Sequence, residues 1–286
     1  MNDMDRGLTM NNTLHQPVSN DQSVERKTVG VIIPVMGNKK YVLGLLPTIR
    51  SYVHDIRIIV IDNGSKDNIT EDLTVMYNNN EISHLEIYPE PLGVAAAWNK
   101  GLRYAFDNGL DYAIVLNSDL ILHKDCIDNL VKFYELNPNI IIGTATEVNN
   151  KIDIGDHTPA VKPFSEYISD LDSLDWPNDG GSGFYCYITS KKLIEDVGYF
   201  DENFIGAYFE DNDMHWRLVN AGYGCGACTS SLIGHFTSRS IKEGGYMNSN
   251  FSRNREYFLR KHNTTDTGIQ SNGNWVNVEI PGTRKR

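Results

Sequence analysis

An α/β fold, with a mostly parallel central sheet flanked by helices, is predicted for this chain by three observations. Short β-branched apolar runs alternate with stretches of helical spacing. These runs are continuous rather than alternating, as in strands covered on both faces. Several of them turn polar at their carboxyl ends, where open parallel sheets bind ligands.

The elements follow in order. "TVGVIIPV" (28–35) reads as the first buried strand, and "KKYVLGLLPTIRSY" (39–52) as a helix that Pro47 kinks or divides. "IRIIVID" (56–62) is a second strand, closed by the turn signal Asn63-Gly64-Ser65, and residues 68–78 have helical spacing. "HLEIYPE" (84–90) is a third strand; "GVAAAWNKGLRYAFDNG" (93–109) is a helix that Gly109 stops. "YAIVLNSD" (112–119) is a fourth strand, 124–136 a helix, and "NIIIGTATEV" (139–148) a further strand. The second half is less regular. A glycine-rich opening, a short strand and a helix occupy 179–204, and "FEDNDMHWRLVNAGY" (209–223) starts a helix with Glu210, Asp211 and Asp213. Residues 1–27 are rich in Asn, Asp, Gln and Ser and read as a disordered tail, and 264–286 as a polar one ending in Arg284-Lys285-Arg286.

Composition narrows the function classes. Of 286 residues, 40% are apolar and 22% charged, so one large domain can build its own core. The net charge of −11 argues against a broad basic surface for nucleic acid. Four scattered cysteines make no disulfide framework. Cys225-Gly-Ala-Cys228 is a C-x-x-C without further zinc ligands nearby, either a redox pair or small residues on a strand. The first 27 residues lack the apolar core of a signal peptide, and no run approaches the ~18 apolar residues of a membrane helix. A soluble, cytoplasmic protein, or one peripheral at the inner membrane face, is expected.

The strand ends carry the candidate chemistry. A carboxylate at the mouth of a buried strand is costly unless paired, and Asp119 could pair with Mg2+ or Mn2+ or simply close a turn. Asp62 could accept from a base or ribose hydroxyl, or close an Asx turn. Gly93 and Ala95–Ala97 could admit a phosphate to a helix start, or allow tight helix packing. Glu210, Asp211 and Asp213 should raise one another's pKa; they supply a general base, or a capped helix start. His235 is a candidate ligand or a structural histidine. In "SNFSRNREYFLRKH" (249–262), basic side chains could close over a diphosphate or form a solvated helix face.

The order of these segments is more specific than any one of them. "VIIPVMGN", "IIVIDNGSKD", "PLGVAAAWNKG", "AIVLNSD", "GGSGFYCYITSKKLIEDVGYFDENF", "FEDNDMHWRLVNAGY" and "GHFTSRS" together resemble family 2 glycosyltransferases of GT-A fold. The closest look is to the rhamnosyltransferase-like, single-domain branch, over about residues 28–262. The resemblance implies a domain at 28–263, with a nucleotide-sugar half (28–122) and an acceptor and catalytic half (123–263). It further implies a nucleotide-diphosphate sugar donor of UDP or dTDP type, Mn2+ or Mg2+, and inversion at the anomeric carbon. Carried over by position, Pro34, Asp62 and Asn63 would hold the nucleoside, with Gly93, Asn99 and Asn117 along the nucleotide-sugar. Asp119, the last position of the D-x-D motif, and His235 would bind metal. Asp211 matches the base, with Glu210 beside it. Gly181, Ser182 and Gly183 would border the acceptor, with Trp216 and Arg217 on that side buttressing the base helix. The chain departs from the motif in Asn117-Ser118-Asp119, where one carboxylate has become an amide.

The implied acceptor is a glycan or lipid-linked sugar. Alternatives are a modified nucleic-acid base as acceptor, and a non-catalytic nucleotide-sugar-binding protein. A nucleotidyltransferase would show a glycine-rich basic loop after the first strand, and Val35-Met36-Gly37-Asn38 is too sparse for one.

Overall fold

A computed structural model describes residues 25–155, 159–175, 178, 180–237 and 250–265, and the backbone of 275–278. The charged carboxyl-terminal triplet and most of the amino-terminal tail lie outside these residues. The strands are β1 (Thr28–Val35), β2 (Asp55–Asn63), β3 (His84–Tyr88), β4 (Tyr112–Leu116), β5 (Leu120–Leu122), β6 (Ile140–Glu147), β7 (Gly181–Thr189), β8 (Gly224–His235) and β9 (Trp275–Val278). The helices are α1 (Lys39–Leu45), α2 (Ile69–Asn78), α3 (Val94–Asp107), α4 (Cys126–Leu136), α5 (Phe164–Asp172), α6 (Lys191–Asp196), α7 (Glu210–Asn220) and α8 (Phe251–His262). No helix among the described residues is long and apolar enough to cross a membrane.

One sheet runs in the order β3-β2-β1-β4-β7-β6-β8-β5, with β9 paired to β8. The β1–β2, β1–β4, β2–β3, β6–β8 and β8–β9 pairs are parallel. The β4–β7, β6–β7 and β5–β8 pairs are antiparallel, so the sheet is mixed. Alternate strand residues serve opposite faces. Val29, Val31 and Ile33 of β1 pack with α1, α2 and α4. Ile32 of β1 and Ile59 and Ile61 of β2 pack with α3, α6 and α7. The four cysteines are free and buried, with Cys225 and Cys228 as small residues on β8.

Three elements differ from the sequence expectation. The helix expected over 39–52 ends at Leu45 and a 3-10 turn follows at Leu46–Thr48, because Pro47 has no N–H to continue the ladder. The strand expected over 112–119 ends at Leu116. A short strand, β9, lies within the stretch read as a polar tail.

The second difference positions the site. Leu116 to Leu120 spans at most about 14 Å of extended chain. A flat sheet would place β5 four strand spacings from β4, about 19 Å away. The sheet must therefore curl. The bend is in β8: its register with β6 jumps from Ala145↔Cys228 to Thr146↔Leu232, leaving Thr229, Ser230 and Ser231 unmatched. Such a bulge bends a strand. The end of β8 thereby comes round to pair with β5, and His235 lies opposite Leu120.

Candidate active site

A cavity of about 270 Å³ opens at the carboxyl ends of β1, β2 and β4. It collects Pro34 from β1, Asn63 from β2, Gly93 from the start of α3, Asn117 and Asp119 from the β4–β5 turn, and His235 from β8. Six of the residues singled out in the sequence thus meet in one place, although 201 positions separate Pro34 from His235.

Each is held by local structure. Asn63 Oδ1 accepts the Leu92 N–H at 2.6 Å, tying the β2 end to the α3 entry. Gly93 has φ +98 and ψ 162, a conformation that only glycine adopts readily. A Cβ there would also sit 3.2 Å from Gly206 N. The Asn117 N–H donates to Tyr185 O at 2.8 Å, and Phe236 N–H to Asp119 O at 2.9 Å, so the turn is stitched on both sides.

Asp119 and His235 form the polar corner of the cavity. Both are buried, and His235 Nε2 lies 3.3 Å from Asp119 Oδ1 without an aligned hydrogen bond. His235 Nδ1 lies 3.1 Å from Glu147 Oε2. With the Nδ1 proton directed at Glu147, Nε2 turns its lone pair toward a carboxylate. Two electron-rich atoms facing each other need a cation, either a proton on the ring or a metal ion. Burial alone would lower the His235 pKa, but Asp119 and Glu147 outweigh it and push it up to about 9. The donors also suit a hard divalent cation: neighbouring vertices of an octahedron with bonds of ~2.1 Å are about 3 Å apart. Among the described residues no set of three or more His, Cys, Asp or Glu side chains converges, so the protein itself offers this pair. Small divalent ions commonly take one or two protein ligands and complete their shell with water and substrate phosphates.

The acidic cluster divides in two. Asp213 is fully buried, with Arg217 Nε at 2.8 Å, Lys261 Nζ at 2.6 Å and His262 Nε2 at 2.8 Å around its carboxylate. It fastens α8 to α7 instead of adding to a repulsive cluster. Among the described residues, Glu210 and Asp211 have no such ion pairs. Burial, reinforced for Glu210 by the Asp211 charge, raises Glu210 well above the ordinary carboxylate range, and burial raises Asp211 less. The two adjacent carboxyls titrate as a pair, and the upward shift is the greater for Glu210. Tyr208, two residues before Glu210, lines the cavity.

Other predicted positions lie off the cavity walls. Asp62 is fully buried; it accepts from Ser65 N at 3.0 Å and from the Thr70 hydroxyl, closing the β2–α2 turn. Asn99 bonds the Phe200 backbone in both directions, at 2.8 and 3.0 Å, and Glu202 at 2.8 Å. Arg217 donates to Val197 O and Tyr199 O, both at 2.9 Å, and Trp216 packs against Phe258 and His262, so both brace α7. Gly181, Ser182 and Gly183 open β7; Gly181 and Ser182 pair with Glu147 and Thr146 of β6. In the 249–262 stretch, Lys261 and His262 are taken up by the ion pairs to Asp213.

Sequence reasoning missed several residues. Glu147 orients His235, and Asn149 brackets its backbone: Asn149 Nδ2 donates to His235 O and His235 N–H to Asn149 Oδ1, both at 2.7 Å. Trp98 lines the cavity with its indole N–H unpaired in the protein. Residues 205–208 form a whole wall. The polar residues at the end of β6, Glu147, Asn149 and Asn150, resemble the polar strand ends of β2 and β4, and that signal could have flagged Glu147.

Known proteins are similar to this chain in sequence or in fold. A pre-mycofactocin glycosyltransferase of Mycobacterium tuberculosis is 26% identical over 211 residues, covering 68% of this chain; the chain spans 40% of that relative's length. A mannosyltransferase from Pyrobaculum calidifontis, solved with GDP-Man and Mn2+, superposes with TM-score 0.56 at 17% identity, covering 76% of this chain and 59% of that one. GalNAc-T7, solved with UDP, GalNAc and Mn2+, gives TM-score 0.59 at 13% identity, covering 83% and 48%. These likenesses identify the curled, mixed sheet as the GT-A fold. The profile of Glycosyl transferase family 2 matches residues 30–198, more than half of the chain, and the chain belongs to that family.

Proposed function

We propose that this protein is an inverting glycosyltransferase that moves a sugar from a nucleoside-diphosphate sugar, of UDP or dTDP type, to an acceptor hydroxyl on a glycan or lipid-linked sugar. The single observation that carries this reading is the convergence of Asn63, Gly93, Asn117, Asp119 and His235 on one cavity; Glu210 and Asp211 do not line it but follow the wall residue Tyr208 by two and three positions along the chain. A glycosyltransferase relative, and structural neighbours solved with GDP-Man or with UDP and GalNAc, support it. The rhamnosyltransferase-like character remains part of the proposal.

Donor and catalytic roles follow from chemistry. Pro34 and Asn63 border the nucleoside end. Gly93 lets the nucleotide approach the α3 amino terminus, where the helix dipole favours anionic oxygens. Asp119 and His235 would hold Mn2+ or Mg2+, and when bound the ion offsets charge on the diphosphate leaving group. Asp211, the less strongly shifted member of its pair, takes the proton from the acceptor hydroxyl. That oxygen forms the new bond to the anomeric carbon as the carbon–oxygen bond to the diphosphate breaks on the opposite face. The bonding pair leaves with the nucleoside diphosphate, and the configuration inverts.

The test is a panel of nucleotide sugars added with Mn2+, with and without chelator, following thermal stability and release of nucleoside diphosphate. A stability shift with one donor, lost on chelation and reduced in Asp119→Ala, is expected. No shift and no diphosphate with any donor would sink the proposal.

A further inference from the structure

The α8 helix lies beyond residues 30–198, where the family profile matches, yet one of its side chains hydrogen-bonds the backbone of the cavity wall. Asn254 is 0% exposed. Its Oδ1 accepts the Ile205 N–H at 3.2 Å, and its Nδ2 donates toward the carbonyls of Ile205 at 3.0 Å, Ala207 at 3.0 Å and Tyr208 at 3.1 Å. The contacts fix which way the amide faces, because one oxygen meets the N–H and the amino group meets the carbonyls. An aspartate would offer no donor and a leucine neither group.

The bonded segment needs such support. Residues 205–208 belong to no helix or strand. Tyr208 and Phe209 have φ of 81 and 72, two consecutive left-handed conformations that non-glycine residues avoid. Ile205, Gly206, Ala207 and Tyr208 all line the cavity. Gly206 O accepts the first N–H of α3, from Val94, at 2.7 Å; a Cβ on Gly93 would crowd Gly206 N at 3.2 Å, and one on Gly206 would meet Asn250 Nδ2 at 2.6 Å. One residue past Phe209 the chain enters Glu210-Asp211. The segment is therefore both the cavity wall and the lead-in to the acidic pair.

Other α8 side chains touch the segment through ring contacts alone, Phe251 packing against Tyr208 and Phe209. Phe258 packs against Phe209 and Trp216, Tyr257 Oη donates to Asp201 at 2.8 Å, and Lys261 bridges Asp201 and Asp213. Asn250, just before α8, lines the cavity beside Gly206; the Tyr257 and Lys261 contacts brace α7 and the 201–204 segment, and Asn254 alone supplies α8 hydrogen bonds to 205–208 among the described residues.

We propose that Asn254 is a positioning residue: it locks the strained 205–209 segment, so that the nucleotide-sugar cavity and the Glu210–Asp211 pair keep a fixed geometry. The catalytic part of this inference rests on the proposed glycosyl transfer; the structural part does not.

Asn254→Ala should be compared with Tyr257→Phe, which loosens α8 without touching 205–208. Amide hydrogen exchange on the ligand-free protein is the first readout. Exchange across 205–209 should rise by roughly tenfold or more in Asn254→Ala and stay at the wild-type rate in Tyr257→Phe. The second readout is donor affinity with kcat and KM, at a temperature where both variants are folded. Asn254→Ala should lose about tenfold or more in kcat/KM and bind donor more weakly, while Tyr257→Phe keeps both. Wild-type exchange at 205–209 in Asn254→Ala overturns the clamp. Faster exchange with kinetics and donor affinity like those of Tyr257→Phe overturns the catalytic link. Should the alanine variant not fold, Asn254→Ser, which keeps a short donor, serves in the same two assays with the same criteria. A wild type that transfers no sugar defeats the glycosyl-transfer reading, and the exchange experiment still decides the clamp.

Discussion

Glu147→Ala is expected to weaken Mn2+ binding about tenfold, with the fold intact. Glu147 Oε2 lies 3.1 Å from His235 Nδ1, and Nε2 of the same ring lies 3.3 Å from Asp119. Without the carboxylate, nothing assigns the Nδ1 proton, and the ring must be ordered when metal binds. Losing a carboxylate behind a histidine ligand typically costs about 10–100-fold in metal affinity. The lower end applies here, because the Glu147 side chain is 21% exposed and water can replace it at Nδ1. Ten-fold corresponds to about 1.4 kcal/mol. Glu147→Gln retains an oxygen that can accept the Nδ1 proton and should lose only a few-fold. The assay is direct titration of Mn2+ without donor, by calorimetry or by the spin-resonance signal of the free ion, with Asp119→Ala as the reference for loss of the site. Wild-type affinity in Glu147→Ala, alongside clear loss in Asp119→Ala, would refute the orienting role. Wild-type affinity in both would move the metal away from this corner altogether.

Four further outcomes are expected. Asp211→Asn should lower turnover by about 10²–10⁴-fold while donor affinity, read by thermal shift, is retained. Asp213→Asn should instead destabilise the fold, by about 3–5 kcal/mol in denaturant titration, because Arg217, Lys261 and His262 lose their shared buried partner. His235 has a folded pKa of about 9 against an ordinary value of 6.5, so its stabilising ion pairs are complete below about pH 6.5 and lost as pH rises through 9. Melting temperature without metal should fall over that window, His235→Gln should flatten the fall, and Mn2+ affinity should rise over it as the competing proton leaves. Asn117→Asp restores a second carboxylate at the cavity and should tighten Mn2+ binding in the same titration.

The buried parallel half of the fold was legible in the sequence because its signals are local. A continuous apolar run such as 28–35 can be satisfied only between two layers of helix, and Pro47 and Gly109 end helices for reasons set by their own backbones. The same locality made Asn63, Gly93 and Asp119 visible as strand or helix ends. It also left Asp62 and Asp213 ambiguous: a carboxylate looks the same in sequence whether it faces a ligand, a turn N–H or a cluster of basic side chains.

The sequence by itself determined the alternation of strands and helices, the polar strand ends and the kinds of side chain available for chemistry. Only the tertiary structure decided which of them meet. The bulge in β8 curls the sheet until His235 reaches Asp119, and β6 brings Glu147 behind the ring. Asn254 reaches back across 46 positions to the Tyr208 carbonyl. These contacts depend on how strands cross and bend, and on side chains converging from distant segments. No period or propensity in a single chain encodes them, because the free energy of each contact exists only once the partner arrives.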